Sequence, residues 1–161
     1  MVHLGVVVKG EWYSMVEWQT PIFDRTQADV EYAKQQLALG NNNVEYKGCF
    51  NATDINRIEN NIQYLSDRLN ELYYYNNLVT EDSWTKESTV YANHISRIIN
   101  NVSVLMSAYH TPNSADKSPE TLLTYEQANA LERNIFLIKV MLDNMVALFR
   151  ECGTFWCGEE W

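Results

Sequence analysis

The sequence predicts a mainly α-helical protein, because one short theme recurs three times and each copy lies within a helical pattern of apolar residues. The copies cover residues 54–62, 96–102 and 128–135; the first and third contain Asn-x-Ile/Leu-Glu-x-Asn-Ile, and the second reads Ser-Arg-Ile-Ile-Asn-Asn-Val. Around each copy, apolar side chains recur at steps of three and four residues, which is the period of helices that pack side by side with a slight left-handed supercoil. Helices of similar length joined by short links pack antiparallel. We therefore expect an antiparallel three-helix bundle with an additional N-terminal helix, a short N-terminal β-hairpin or extended arm, and an extended aromatic C-terminal tail.

The predicted bundle covers residues 51–150, with helices at about 53–75, 85–109 and 125–150. Capping signals precede the first and the last of these helices, and a loop around residues 111–119 is long enough to be a candidate functional edge. The apolar positions of the three stripes are Ile55, Ile58, Ile62, Leu65, Leu69 and Leu72, then Tyr91, Ile95, Ile98, Val102, Leu105 and Tyr109, then Ala128, Leu131, Ile135, Ile138, Leu142, Met145 and Phe149.

The regions on either side of the bundle have a different character. Residues 1–25 are rich in residues that favour strands and contain Gly10 between two such runs, so we expect an extended or β arm there. Residues 26–40 are predicted to form a helix, since Thr26 and Asp29 make a capping pair and Gly40 stands where helices end. Residues 151–161 are predicted to form an aromatic tail.

Composition excludes several classes of partner. The chain has 12 basic and 21 acidic residues and a formal net charge of -9, which argues against a surface that follows nucleic-acid phosphates. No apolar run is long enough to span a membrane, so we expect no membrane partner. The three cysteines, Cys49, Cys152 and Cys157, make no disulfide framework, and the sequence leaves open whether Cys152 and Cys157 pair.

No motif in the sequence indicates an enzyme. The histidines, His3, His94 and His110, lack metal-ligand spacing, and we expect His94 to be packed rather than catalytic. Glu59 and Glu132 could form a catalytic carboxylate pair only beside a cleft. Uniform apolar heptads do not make such a cleft. We therefore predict no catalytic residues, no cofactor and no metal site.

The polar positions of the theme have two interpretations. Glu59, Asn61, Glu132 and Asn134 flank the apolar stripes, where polar groups bond to the neighbouring helix and fix its register. Alternatively, the outer positions Asn56, Arg57 and Asn60 dock another subunit. The first interpretation describes a purely structural role and the second an interface.

Aromatic residues cluster in the two arms and suggest a second kind of interface. Such residues either fold back onto their own bundle or anchor in a partner, because Trp and Tyr dominate interface hot spots. At least one ring of Tyr73, Tyr74 and Tyr75 must point outward on a helix. The candidate interaction residues are therefore Trp12, Tyr13, Trp18, Asn56, Arg57, Asn60, Phe155, Trp156 and Trp161.

Residues 18–33 and 47–61 resemble a segment found in structural proteins of tailed bacteriophages and of prophages of Gram-positive gut bacteria. The resemblance implies a non-enzymatic virion protein of the tail, fibre, baseplate or capsid, assembled in the host cytoplasm. It implies other virion proteins, or further copies of this chain in a homo-oligomer, as partners, and it brings no catalytic residues with it. The alternative is a prophage-encoded adaptor or regulatory helical-bundle protein.

Overall fold

A computed structural model of the chain describes residues 5–8, 11–14, 16–110, 115–117, 120–121 and 124–152, and side chains only from residue 16 to 148 within these ranges. The prediction of a mainly helical protein is confirmed. The elements in chain order are β1 Gly5–Val8, β2 Glu11–Ser14, α1 Gln27–Ala38, α2 Ala52–Glu71, α3 Ala92–Ala108 and α4 Tyr125–Cys152. The strands β1 and β2 pair antiparallel, with Val7 opposite Trp12.

Helix α1 begins and ends where its sequence signals predict. The Thr26 hydroxyl accepts a hydrogen bond from the main-chain N–H of Asp29, and the Asp29 carboxylate accepts one from the N–H of Thr26. Gly40 has φ +82, a backbone conformation that suits glycine after a helix. Ala33 is the one residue of α1 that is buried, so this helix lies on the outside of the molecule.

Helix α2 ends earlier than predicted because its chain turns sharply after Leu72. The N–H of Tyr73 bonds to the carbonyl of Asn70 and the N–H of Tyr74 bonds to the carbonyl of Leu69. This pair of bonds requires a left-handed residue after the helix, and Tyr73 adopts it with φ 67. Tyr73 and Tyr75 are exposed and Tyr74 packs on Tyr109, so the prediction of an outward ring is confirmed.

Helix α3 begins at Ala92, seven residues later than the predicted position 85. The preceding segment is irregular, and side chains of α2 bind it. Asn56 bonds to the backbone of Trp84, and the Gln63 side chain accepts a hydrogen bond from the Thr80 hydroxyl. The Trp84 side chain is buried against the helices, whereas residues 85–87 and 89–91 are exposed.

The hydrophobic core lies between α2, α3 and α4. Its fully buried members include Ile58, Ile98 and Leu131, which stand at equivalent positions of the three copies of the theme. The whole buried cluster consists of Ile55, Ile58, Ile62, Leu65, Leu69, Trp84, Ile98, Val102, Leu105, Met106, Leu131, Ile135, Ile138 and Leu142. Among the described residues, no helix combines the length and the apolar character needed to cross a membrane.

Candidate functional site

Two clusters of charged side chains lie where irregular stretches of main chain meet the helices, and each cluster contains a fully buried glutamate. We call residues 16–25 the first strap and residues 76–84 the second strap. The first strap meets the Glu132 cluster, which comprises Arg25, Asp54, Arg57 and Glu132. The second strap meets the Glu59 cluster, which comprises Glu59, Glu81 and Arg97.

The Glu132 cluster is a closed network of two guanidinium groups and two carboxylates. Arg25 Nη2 donates to Asp54 Oδ1 at 3.0 Å and to Glu132 Oε1 at 2.9 Å. Arg57 donates through Nε to Glu132 Oε2 at 3.0 Å, and through Nη2 to Glu132 Oε1 at 2.8 Å and to Asp54 Oδ1 at 2.5 Å. All four residues are buried, from 1% exposed for Glu132 to 9% for Arg57. The two positive and two negative charges therefore balance inside the protein.

The balance of charges has a measurable electrostatic consequence at Arg57. Burial alone lowers the pKa of a guanidinium, because it penalises the charged form. The hydrogen bonds and charges of Glu132 and Asp54 outweigh burial and raise the pKa of Arg57 above its ordinary value. Asp54 also accepts the N–H of Asn51 through its other oxygen, so one carboxylate both caps α2 and joins the cluster.

The Glu132 cluster holds the first strap by its main chain. The N–H of Ile22 donates to Glu132 Oε2 at 2.7 Å, and an Nη group of Arg25 donates to the carbonyl of Ile22. Trp18, near the start of the strap, is half-buried, with its ring 5.6 Å from that of Tyr64 and the Lys139 ammonium 5.3 Å from its centroid. These contacts fix an irregular segment against α2 and α4.

Asparagines of the theme grip main-chain peptide groups with a shared geometry. In each case the side-chain oxygen accepts the N–H and the side-chain nitrogen donates to the carbonyl of one residue, so the contact does not depend on that residue's side chain. The pairs are Asn61 with Gln19, Asn129 with Arg25, Asn56 with Trp84, and Asn134 with Asp116, at distances between 2.8 and 3.2 Å.

The Glu59 cluster holds the second strap with fewer positive charges. Arg97 Nη2 lies 2.6 Å from Glu59 Oε1 and 3.5 Å from Glu81 Oε2, so one guanidinium serves two carboxylates. Its Nη1 donates to the Val79 carbonyl at 2.8 Å, and Asn101 Nδ2 donates to the same carbonyl at 2.9 Å.

The single guanidinium of Arg97 does not offset the electrostatic cost of burying the Glu59 carboxylate. Glu59 is 0% exposed, whereas Arg97 is partly exposed. Burial raises the pKa of Glu59 to about 7, although Arg97 and the N–H of Glu81 act in the opposite direction. A carboxylic acid that titrates near neutral pH therefore lies directly under the second strap.

The two clusters are built from equivalent positions of the repeated theme. Arg57 of α2 bonds to Glu132 of α4, and Arg97 of α3 bonds to Glu59 of α2. In each pair the arginine stands at the second position of one seven-residue copy, and the glutamate stands at the fourth position of another copy. In the third helix pair, the equivalent positions are Ala130 of α4 and Ile99 of α3.

The structural interpretation of the flanking glutamates is confirmed, since Glu59 and Glu132 bond to the neighbouring helices. Asn61 and Asn134 instead bond to connecting segments. The prediction that Arg57 points outward is wrong, because the buried carboxylates of the Glu132 cluster draw its guanidinium inward.

The remaining candidate interaction residues lie in several places. Asn56 and Asn60 are half-buried, and both amide atoms of Asn56 bond to the second strap. The side chains of Trp12 and Tyr13 and the whole of Phe155, Trp156 and Trp161 lie outside the described part of the chain. His94 is half-buried, with its ring 5.0 Å from that of Trp84, in agreement with the packed role predicted for it.

Sequence reasoning missed three residues of these sites. Arg25 and Trp84 stand outside every periodic pattern, and Asp54 was interpreted only as a helix cap. The signal available for Asp54 was its spacing of three residues from Arg57, which allows an ion pair on a helix.

The arrangement holds main chain in place. The carboxylates of both clusters contact guanidinium groups or peptide N–H groups, and within the described ranges no three His, Cys, Asp or Glu side chains are grouped to hold a metal ion. In comparisons with known proteins, no family model, curated protein or solved structure matches this chain.

Proposed function

We propose that this chain is a non-enzymatic structural protein of a tailed-bacteriophage particle, which self-associates or docks on a larger tail, baseplate, fibre or capsid protein. The observation that carries the proposal is where the phage-like residues lie. Residues 18–33 and 47–61 include Arg25, Asp54 and Arg57 of the Glu132 cluster. The segment that resembles virion proteins is thus the segment that holds the first strap to the helices.

A strap-and-helix site of this kind is suited to a structural role. The contacts to the first strap described above bind its main chain, pack the Trp18 ring or pair the Arg25 guanidinium with buried carboxylates, which stabilises one geometry of the strap. We propose that α2, α3 and α4 form an antiparallel three-helix bundle on which the straps, α1 and both arms are mounted. The bundle is then a rigid platform, and the arms reach other subunits.

The surface of the platform also supports an assembly role. Large apolar side chains are more than half exposed at several positions outside the core, and such residues favour protein contacts when they lie together. Tyr73 and Tyr75 stack edge to face at 6.2 Å, and both are more than three-quarters exposed. The other such residues are Tyr32, Leu39, Val44, Val79, Tyr91 and Leu148.

The proposal is tested by quantitative mass spectrometry of particles purified from a host that produces this protein. We expect the chain to be present in many copies per particle and to stay with the particles through density-gradient and high-salt washes. If particles form only when the chain is produced but do not contain it, the structural role is wrong and the adaptor alternative is favoured. A Tyr73→Ser/Tyr75→Ser variant, which changes exposed rings only, should fold normally and reports whether that surface contributes to incorporation.

A further inference from the structure

A groove of about 350 Å³ lies between the α1–α2 connection and the chain that leads into α3. Its walls are mixed: Leu37, Val44, Trp84 and Val90 supply apolar surface, and polar residues that include Lys86 supply nearly as much polar surface. Leu37, Val44 and Val90 are 42%, 62% and 40% exposed, so the groove presents apolar surface that the described chain does not cover. Its size is that of pockets that take a few side chains of a ligand.

We propose that this groove binds Phe155 and Trp156 from a second copy of the chain. The proposal rests on the proposed self-association and names its contact. The tail supplies two adjacent large aromatic groups that are unfavourable to leave in water. A pair of neighbouring aromatic side chains is the type of anchor that fills an apolar interface pocket.

The length of α4 decides that the tail must come from another copy. Cys49 and Phe50 line both the groove and an adjoining pocket that contains Tyr125, so the groove lies near the beginning of α4. The 28 residues of α4 place its end about 42 Å from its beginning. Phe155 and Trp156 follow the last helical residue by three and four positions, which spans at most about 14 Å. They cannot return to the groove of their own chain.

Charge complementarity gives the tail a direction in the groove. Glu159 and Glu160 follow Trp156 by three and four residues, and Lys86 stands at the rim with an exposed ammonium group. The groove also contains Glu45, which accepts a hydrogen bond from the Thr53 hydroxyl at 2.6 Å. We expect the aromatic pair to enter the apolar part and the acidic residues to lie beside Lys86.

This contact joins two different surfaces, the tail of one copy and the groove of the next. Such a heterologous interface produces open chains or closed rings rather than an isolated pair of subunits. The prediction is therefore an assembly that grows with concentration, in which every internal copy uses both surfaces.

The test uses full-length variants in sedimentation velocity and multi-angle light scattering over a range of concentrations. Phe155→Ser/Trp156→Ser removes the tail anchor and Val44→Glu places a charge in the groove. We expect the tail variant to weaken self-association at least 100-fold and the Val44→Glu variant to weaken it at least tenfold. The circular dichroism of both variants should be unchanged. Leu39→Glu is the matched control, because Leu39 is 74% exposed in the same region but does not line the groove; its effect should be below twofold.

Mixing gives the decisive result. The tail variant has an intact groove and the Val44→Glu variant has an intact tail, so the mixture should form one-to-one complexes and nothing larger. Undiminished association of either variant alone, or a wild-type chain that stays monomeric at every soluble concentration, would overturn the tail–groove contact. Neither result would exclude incorporation into particles through another surface. Conversely, if the chain is absent from particles, the virion role is wrong, but a measured tail–groove contact remains valid.

Discussion

Glu59 and Glu132 occupy the same position in two copies of one theme, and both are fully buried, yet their surroundings differ in charge. Glu132 meets two guanidinium groups and shares them with Asp54 alone. Glu59 meets one guanidinium, from Arg97, which also faces Glu81. The first site is neutral overall and the second carries an excess negative charge.

Two copies of one motif can thus make the same kind of ion pair while the free energy of burying the glutamate differs between them. In both sites a buried glutamate pairs with an arginine from the neighbouring helix, and Glu132 also accepts the main-chain N–H of Ile22 in the first strap. The number of compensating charges decides whether burying the carboxylate is tolerated, because desolvation is large for an isolated charge. The same structural solution therefore produces a firmly held first strap and a pH-sensitive second strap.

The largest effect is expected from Glu132→Gln. The substitution keeps the shape of the side chain but leaves two buried guanidinium groups facing one carboxylate, and breaking such a network costs about 3–5 kcal/mol. Urea unfolding at pH 7 measures this loss directly. Asp143→Asn on the same helix is the control, because the Asp143 carboxylate is exposed and the loss of its ion pair with Lys139 should stay below about 1 kcal/mol. Equal losses at the two positions would contradict the account of the Glu132 cluster.

Glu59→Gln should have the opposite sign above neutral pH. The folded-state pKa of Glu59 is about 7 and its ordinary value is 4.5, so its contribution to stability is fully present below pH 4.5 and is lost as the pH rises through 7. The variant cannot ionise. It should match the wild type below pH 4.5, be more stable by about 1 kcal/mol at pH 5 and by up to about 3 kcal/mol at pH 8, since a tenfold change in proton affinity is worth about 1.4 kcal/mol.

Urea unfolding of both chains between pH 5 and pH 8 gives the difference curve for Glu59. Direct titration of the Glu59 carboxyl carbon by NMR in the wild-type chain provides an independent reading that needs no variant. A midpoint near 4.5, or a difference curve that stays flat across the range, would show that Arg97 compensates Glu59 as fully as the two arginines compensate Glu132.

The asparagine contacts of the two straps should differ by a smaller amount. Asn61 makes two bonds to the peptide groups of Gln19, whereas Asn101 makes one bond to the Val79 carbonyl. We expect Asn61→Ala to cost about 2 kcal/mol and Asn101→Ala about 1 kcal/mol, because the first removes two bonds to Gln19, whereas in the second the Val79 carbonyl keeps its bond from Arg97 Nη1. Hydrogen exchange of the two straps, measured with unfolding curves, tests the order. Equal or reversed costs would mean that strap attachment does not depend on the paired geometry.

The helices and their core could be predicted because they depend on local periodicity. Ile58, Ile98 and Ile135 lie in regular apolar stripes, and each is completely buried. The contacts of the flanking glutamates with the neighbouring helices could also be predicted, since a polar residue beside an apolar stripe must face a neighbouring helix.

The straps could not be predicted, because their structure depends on contacts that are remote in sequence. Arg25 precedes a helix cap and has no local reason to be buried, and its partner Glu132 is 107 residues away. Trp84 follows an acidic run that resembles an ordinary surface loop, and its burial depends on Asn56, 28 residues earlier. No repeating period marks an extended segment whose main chain is held by side chains of other elements.

The smallest expected effect comes from completing the repeat in the third helix pair. Ile99 and Ala130 stand at the positions equivalent to the glutamate and the arginine of the two charge clusters. Ile99→Glu alone removes an apolar side chain that packs against the core and introduces a half-buried charge, so it should destabilise the protein. Ala130→Arg alone adds a charge without a designed partner.

If α3 and α4 meet at the same positions as the other two pairs, the double variant should recover about 1 kcal/mol relative to the sum of the single changes. A double-mutant cycle by urea unfolding at pH 7 measures this coupling, and repeating it in high salt should reduce it because a partly exposed ion pair is screened. A coupling energy of zero would show that the third pair shares the sequence theme but not the contact geometry of the Glu59 and Glu132 clusters.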